Sequence, residues 1–397
     1  MKLRHDSIDD PVATWRAARA RTRRLFEIIT PDAYYDRPLT LRNPIVFYEG
    51  HLPAFAVNTL VKLTFGGRGI DERLETLFAR GIDPEDEAAA KTPTDLWPSR
   101  DEVQAYGREA ERLVEETLRS TPVVEATFTI VEHELMHQET LLYMLHELPY
   151  GRKRRVVVES SRGTPLVDSA TRTLGDSIRI PAGRAHLGHS RECFGWDNEF
   201  DAHEVDVPEF TIDAHNVTNG DYLEYMQATG ASAPHFWKRE RDQWFWRGMF
   251  ELIPLPLDGP VYVTHDEASA YAKWKGARLP SEAELDRATY GTTPPAAGNF
   301  DFQHWDPVPV GSYAPNAWGV HDLIGNGWEW TSSLFAPFAG FRPMPSYPQY
   351  SVDFFDGAHY VMKGASPSTP RELVRRSFRN WFRPSYPYVY ATFRCAR

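Results

Sequence analysis

The strongest constraint on the fold is a change of pattern between the first 150 residues and the rest of this 397-residue chain. The first part carries long segments with apolar residues at helical spacing. The second part has short β-like runs among Gly, Pro, Asn and Trp residues. We therefore predict an α+β protein of two domains, a helical one at residues 1–165 and a mixed one at residues 166–397.

The helical part is predicted to contain four helices. Ser99 followed by Glu102 forms a capping-box pattern, and Thr121 before a proline offers a second N-cap. Four such helices joined by loops favour an antiparallel bundle. The predicted helices cover residues 11–29, 44–64, 99–120 and 121–148.

The second part is predicted to hold little regular structure. Short β-like runs occur at residues 177–180, 209–212 and 261–263. Two helical stretches are predicted near residues 219–228 and 265–275. The remainder consists of loops and short strands.

Charge and composition exclude several classes of partner. The chain has 44 Lys and Arg against 55 Asp and Glu, for a net charge of −11. Nucleic acids and anionic membranes both favour a basic surface, so we expect neither as a partner. The N-terminus lacks an apolar signal segment, and no run of about 18 apolar residues occurs. With only Cys193 and Cys395, we predict a soluble, cytoplasmic protein without a disulfide framework.

The sharpest chemical motif is a pair of histidines in the fourth predicted helix. His133 and His137 are four residues apart, so they differ by about 40° around the helix and both imidazoles reach one metal. Imidazole binds Zn, Fe, Cu and Ni alike, so the pair does not identify the metal. Glu139 lies about 240° round from His133 and is a poor third ligand.

The best candidate for a third ligand is His51. It lies in the apolar second helix, which a bundle would place beside the fourth. Three histidines on one face of a metal would leave positions open for substrate and O₂.

Two other interpretations are compatible with this motif. His133, Glu134 and His137 also form the H-E-x-x-H motif of zinc peptidases, with Glu134 as general base. That enzyme would need a further ligand such as Glu147 or Asp168, which lack a supporting motif, and it leaves residues 166–397 unexplained. The other of these two interpretations is a non-catalytic binding protein.

The second part contains five ordered motifs: His265–Trp274, Gly276–Glu284, Gly325–Thr331, Phe378–Trp381 and Phe393–Arg397. Together they resemble the formylglycine-generating-enzyme-type fold, a C-type-lectin-like variant. Preceded by a DinB-like bundle bearing H-x-x-x-H-x-E, they resemble the family of ergothioneine and ovothiol sulfoxide synthases, which includes selenoneine synthase. The resemblance covers essentially the whole chain.

The resemblance implies a non-haem Fe(II) enzyme. In this family three bundle histidines bind the iron, and they match His51, His133 and His137. The family uses O₂ to couple a chalcogen donor to imidazole C2 of hercynine, which is Nα-trimethylhistidine. The lectin-like domain supplies the substrate pocket. A structural Ca²⁺ in this domain is a further expectation, although the sequence does not fix its ligands.

Other site residues are implied by the same resemblance. Asn380 and Trp381 match positions that hold the betaine end of hercynine, since a quaternary ammonium suits aromatic faces. The family's active-site tyrosine, a proton donor, matches Tyr347, with Tyr350 as the alternative.

Departures from the family pattern concern the donor. The branch that uses γ-glutamylcysteine has an acidic residue after Asn-Trp, where this chain has Phe382 and Arg383. That branch also often has Gln before the second histidine, where this chain has Met136. Both changes disfavour a peptide thiol and favour the selenoneine branch, whose donor is a selenosugar. Cysteine and γ-glutamylcysteine stay the alternatives.

Overall fold

The computed structural model describes residues 3–79, 96–158, 177–293 and 297–397. The predicted domain boundary at 165/166 therefore lies outside the described residues. Among the helices that are described, none combines the length and the apolar character needed to cross a bilayer.

The chain forms two compact units that are not contiguous in sequence. The first contains residues 1–159 together with two short later segments, 192–194 and 344–348. The second contains the remainder of the chain. Mixed helix and strand content confirms the predicted α+β class.

The first unit is helical. Its second helix continues directly into a π-helical segment at Val57–Thr64. The helices are α1 (Pro11–Leu25), α2 (Ile45–Ala56), α3 (Glu72–Leu77), α4 (Arg100–Ser120) and α5 (Glu125–His146).

Capping residues explain where these helices begin. Ser99 accepts a hydrogen bond from the Glu102 amide at 3.3 Å, as the sequence predicted for α4. The predicted N-cap at Thr121 is wrong, because its hydroxyl donates to the Thr117 carbonyl at 2.7 Å and so completes α4. Helix α5 begins four residues later, where the Thr127 hydroxyl accepts from the Val124 amide at 3.1 Å.

The second unit combines short helices with small sheets. Its helices are α6 (Asn219–Thr229), α7 (His265–Trp274) and α8 (Glu282–Tyr290). Its strands are β1 (Ser177–Ile180), β2 (Gly183–Leu187), β3 (His203–Val207), β4 (Phe210–Asp213), β5 (Trp237–Glu240), β6 (Gln243–Arg247), β7 (Leu252–Pro254), β8 (Gly327–Leu334), β9 (Tyr360–Ala365), β10 (Asn380–Phe382) and β11 (Ala391–Thr392).

The largest sheet in the described part has the order β10-β9-β8-β11. Its neighbours are antiparallel except for β11, which runs parallel to β8. Strands β1 and β4 form one pair, β2 and β3 another, and β5, β6 and β7 form a three-stranded sheet. Apolar residues of β1, β2, β4 and α8 share one core, with Ile180, Ile212 and Leu285 among its members.

The predicted strands and helices of this unit are largely confirmed. Strands β1 and β4 and helices α6 and α7 lie where expected. Residues 261–263 are not a strand, because the Val261 amide bonds to Val217 and the Val263 amide to Ala391, two separate neighbours. Helix α8 was not predicted, although its N-cap Ser281 forms a capping box with Glu284.

Candidate metal centre

Helices α2 and α5 bring three histidine side chains together. His51 lies in the middle of α2, and His133 and His137 lie one turn apart in α5. One ring nitrogen from each lies within 4.8 Å of the others. The ring centroids are 5.2 Å apart for His51 and either partner, and 4.5 Å apart for His133 and His137. The i,i+4 spacing thus places both α5 imidazoles on the face that meets α2.

A backbone carbonyl fixes the orientation of His51. Its Nδ1 is 2.9 Å from the carbonyl oxygen of Phe78. A carbonyl only accepts, so Nδ1 carries the proton and Nε2 keeps a lone pair for a metal. Gly50 makes this contact feasible, because a Cβ there would lie 2.3 Å from the Phe78 ring.

Helix α2 also supplies an aromatic ring to each histidine. Phe47 stacks on His51 with centroids 4.9 Å apart, and Phe55 stacks on His133 at 3.6 Å with an interplanar angle of 10°. The Tyr48 ring lies 5.9 Å from that of His137. Phe47, His51 and Phe55 follow one another at intervals of four residues, so this stack could have been predicted from the sequence.

The environment keeps all three imidazoles neutral. Burial lowers the pKa of His51 to about 4. Burial, followed by the neighbouring histidines, lowers the pKa of His133 well below its usual value, and burial with His51 and Arg42 does the same for His137. Neutral imidazole is the form that binds metals.

The donor set fits a divalent transition metal. The buried Nδ1 of His137 has no hydrogen-bond partner among the described residues. An unpaired buried nitrogen costs free energy, and coordination to a metal is one way to offset that cost. Three neutral nitrogens suit Fe(II) as well as Zn, Co or Cu. Within the described part of the chain, no group of carboxylates belonging to the second unit converges in this way, so the expected Ca²⁺ finds no support.

Glu134 lies on a different face of α5 and is held in an ion pair with Arg19. Its Oε1 accepts from Arg19 Nη1 of α1 at 2.8 Å, and its side chain is 1% exposed. Arg19 also pairs with Glu111 at 3.1 Å. A carboxylate held in a buried ion pair with another helix is not poised as the general base of a peptidase.

The remaining carboxylates of that interpretation do not join the centre. Glu147 is the C-cap of α5, and Asp168 lies outside the described residues. Glu139 accepts a short hydrogen bond from the Tyr143 hydroxyl. As the sequence predicts, Glu139 is not among the converging groups.

The structure separates the two candidate tyrosines. Tyr347 belongs to the short segment 344–348 of the first unit, and its ring lies 6.2 Å from His133 and 5.3 Å from Phe55. Tyr350 belongs to the second unit, where it stacks on Trp196 at 3.9 Å. Of these two candidates, Tyr347 is thus the one beside the histidines.

The predicted betaine-binding residues lie in an aromatic cluster of the second unit. Asn380 and Trp381 are in β10, and the Asn380 Oδ1 accepts from the Trp381 amide at 2.9 Å. Trp381 stacks on Phe335 at 4.1 Å and meets the Tyr350 ring edge-on at 5.3 Å. Phe354 completes the cluster at 5.7 Å from Trp381. Such rings offer faces to a cation.

The residues predicted to distinguish between chalcogen donors lie in different units. Met136 is partly exposed on α5, next to His137. Phe382 stacks on Tyr386 at 4.8 Å, and Arg383 pairs with Asp356 at 3.2 Å.

The arginines near β10 are engaged in ion pairs. Arg375 bonds to Glu199, Arg376 to Asp286 and Arg379 to Glu282, each through a carboxylate that is almost fully buried. These three arginines therefore stabilise the second unit through buried ion pairs.

Comparisons with known proteins agree with both units. A family described as "Sulfatase-modifying factor enzyme 1-like domain" matches residues 163–397, and the DinB superfamily matches residues 14–148. "Hercynine oxygenase" of Mycolicibacterium smegmatis is 32% identical over 351 residues, covering 78% of this chain and 80% of that protein.

Two longer relatives carry the name "Ergothioneine biosynthesis protein 1". The Neurospora crassa protein is 26% identical, with 98% of this chain and 57% of that protein aligned. The Schizosaccharomyces pombe protein is 28% identical, with 92% and 53% aligned. The chain thus spans little more than half the length of these two relatives. Taken with the two domain matches, these similarities show that the chain belongs to the ergothioneine-biosynthesis family, in which a DinB-type helical domain precedes a domain like sulfatase-modifying factor 1.

Proposed function

We propose that this protein is a non-haem Fe(II)- and O₂-dependent enzyme that forms a carbon–chalcogen bond at imidazole C2 of hercynine. The observation that carries the proposal is the cluster of three neutral histidines on α2 and α5. The similarity of this chain to a protein named hercynine oxygenase supports hercynine as the substrate.

The overall reaction balances with one O₂. The C2–H bond and the chalcogen–H bond of the donor break, and a C2–chalcogen bond forms. This coupling removes two electrons, and oxidation of the chalcogen to its oxide removes two more. One O₂ accepts all four electrons, giving the oxide oxygen and one water. Bound iron would supply O₂ activation and a template that holds both substrates.

Each group of this chain then has a defined task. His51, His133 and His137 would hold the metal, and the Phe78 carbonyl keeps His51 in the correct tautomer. Tyr347, which matches the family's proton-donating tyrosine, would take that role here, and its ring lies 6.2 Å from that of His133. Asn380 and the Trp381 ring would bind the trimethylammonium end.

For the donor, we propose a selenosugar and therefore C–Se bond formation. Phe382 offers an aromatic face stacked on Tyr386, and Arg383 is cationic, so neither would pair with the amine of a peptide thiol. Asp356, the carboxylate beside Arg383, also contacts His359 Nδ1 at 2.9 Å. Met136 presents a polarizable, apolar side chain next to His137 in place of an amide.

A competition assay tests both levels of the proposal. The protein would be loaded anaerobically with Fe(II), supplied with hercynine and O₂, and offered the selenosugar, cysteine and γ-glutamylcysteine together. Mass spectrometry would identify the adduct. We expect a hercynine–selenium adduct to dominate. A sulfur adduct would keep the enzyme class but refute the donor.

Matched variants test the centre itself. His133→Asn should abolish iron binding and adduct formation. His186→Asn removes an exposed imidazole from β2 and should leave both unchanged. No adduct from any donor, with zinc retained in preference to iron, would overturn the proposed function.

A further inference from the structure

A stripe of side chains along α5 links the metal centre to the segment that carries Tyr347. Glu125, Thr129, His133 and His137 follow one another at intervals of four residues. Each step advances about 6 Å along the helix and turns about 40° around it. The first two therefore lie on the helix turns just before the first histidine of the stripe.

Ser346 is bonded to both of these upstream residues. Its amide and its hydroxyl both donate to Glu125 Oε1, at 3.1 and 2.9 Å. Its hydroxyl also lies 2.8 Å from the Thr129 hydroxyl. Ser346 is buried, so these bonds are shielded from competing water.

A turn transmits this anchoring to Tyr347. The Tyr347 amide donates to the Met344 carbonyl at 3.2 Å, and Met344 is buried. The side chain is then placed with its ring 5.3 Å from Phe55 and 6.2 Å from His133.

We propose that Glu125, Thr129 and Ser346 are positioning residues that set the Tyr347 ring beside the metal centre. The catalytic consequence rests on the proposed function, whereas the placement of the ring does not. The helix that supplies two histidines also anchors the segment that carries the tyrosine, so one rigid element holds both in place.

The first experiment measures the placement without catalysis. 3-Fluorotyrosine would be incorporated at position 347 of the full chain, and its ¹⁹F resonance recorded without added iron. We expect one narrow line in the parent protein. Ser346→Ala and Glu125→Gln should shift or broaden it, while Ser346→Thr, which keeps the hydroxyl, should restore it. An unchanged line in Ser346→Ala would overturn the proposal.

The second experiment asks whether placement matters for turnover. Ser346→Ala should lower kcat about 10-fold or more at nearly constant KM, because a small displacement of a reacting group is costly. In a Tyr347→Phe background the same change should have no further effect. Additive losses in the double variant would overturn the catalytic part of the proposal.

Controls keep the outcomes distinguishable. Thr129→Val removes a single hydroxyl and gives a milder variant if Ser346→Ala folds poorly. Thr117→Val removes a comparable hydroxyl from α4, where it donates to the Leu113 carbonyl at 2.8 Å, and should change neither readout. If the resonance responds as expected but the parent protein forms no adduct, the positioning stands and the proposed function fails.

Discussion

Replacing Gly50 by alanine should weaken metal binding, although Gly50 is not a ligand. A Cβ at this position would lie 2.3 Å from Cε2 of Phe78, whereas ordinary contacts begin at 3.4 Å. The Phe78 ring would have to retreat by roughly 1 Å in a packed interior. Its carbonyl, which accepts the 2.9 Å hydrogen bond from His51 Nδ1, would be displaced with it.

The expected magnitude follows from the lost orientation of one ligand. Removing a partner that orients a ligating histidine typically weakens metal binding about 10- to 100-fold. Overpacking should cost a further ~1–3 kcal/mol in the free energy of unfolding, offset by up to ~1 kcal/mol because alanine favours a helix over glycine. Competition titrations with a chelator, using anaerobic Fe(II) or Co(II), would measure the affinity, and urea unfolding the stability.

A second glycine provides the matched control. Gly107 lies within α4, and a Cβ there would be 3.9 Å from its nearest neighbours, Arg19 Nη2 and Pro53 Cγ. Gly107→Ala should therefore leave metal affinity unchanged and stability equal or up to ~1 kcal/mol higher. Unchanged metal affinity in Gly50→Ala, or an equal loss in Gly107→Ala, would refute the reasoning.

Three further predictions concern stability and are measured by urea unfolding. Arg19→Met should cost about 3–5 kcal/mol, because it leaves the Glu134 carboxylate buried without its cation, and a normal unfolding midpoint would contradict this. Phe55→Ala should cost about 3–5 kcal/mol through loss of a buried stacked ring, and a cost near zero would show that the stack is not tightly packed. Burial alone would raise the pKa of Glu199, but the Arg375 guanidinium holds it below its usual value. The resulting stabilisation is present above the unfolded-state pKa and is lost on acidification. Glu199→Gln should therefore be less stable than the parent protein at pH 7 and approach the parent's stability below about pH 4. A difference in unfolding free energy that does not change with pH would refute this.

Sequence reasoning predicted the parts of the centre that depend on local periodicity. The i,i+4 spacing of His133 and His137 sets their common face whatever the rest of the chain does. An apolar second helix in a bundle then brings His51 beside them. The three rings come together because a helix–helix packing problem has few solutions.

The parts that escaped prediction depend on contacts distant in sequence. The family resemblance placed Tyr347 ahead of Tyr350, but no local pattern shows that residues 344–348 join the helical unit. They do so through distant contacts such as the bond from Ser346 to Glu125, across 221 positions. Thr121 has the residue type of an N-cap, yet its hydroxyl is engaged by the preceding helix. Residues 261–263 look like a strand but divide their bonds between two neighbours.

The assignment of segment 344–348 to the helical unit has a consequence for dividing the chain between its two family matches. The match to the DinB superfamily ends at residue 148, and the second family match begins at 163. Recombination between those points would deliver all three histidines but leave Tyr347 behind with the downstream partner. Under the proposed function, neither part of a chain divided there would hold every residue of the active site.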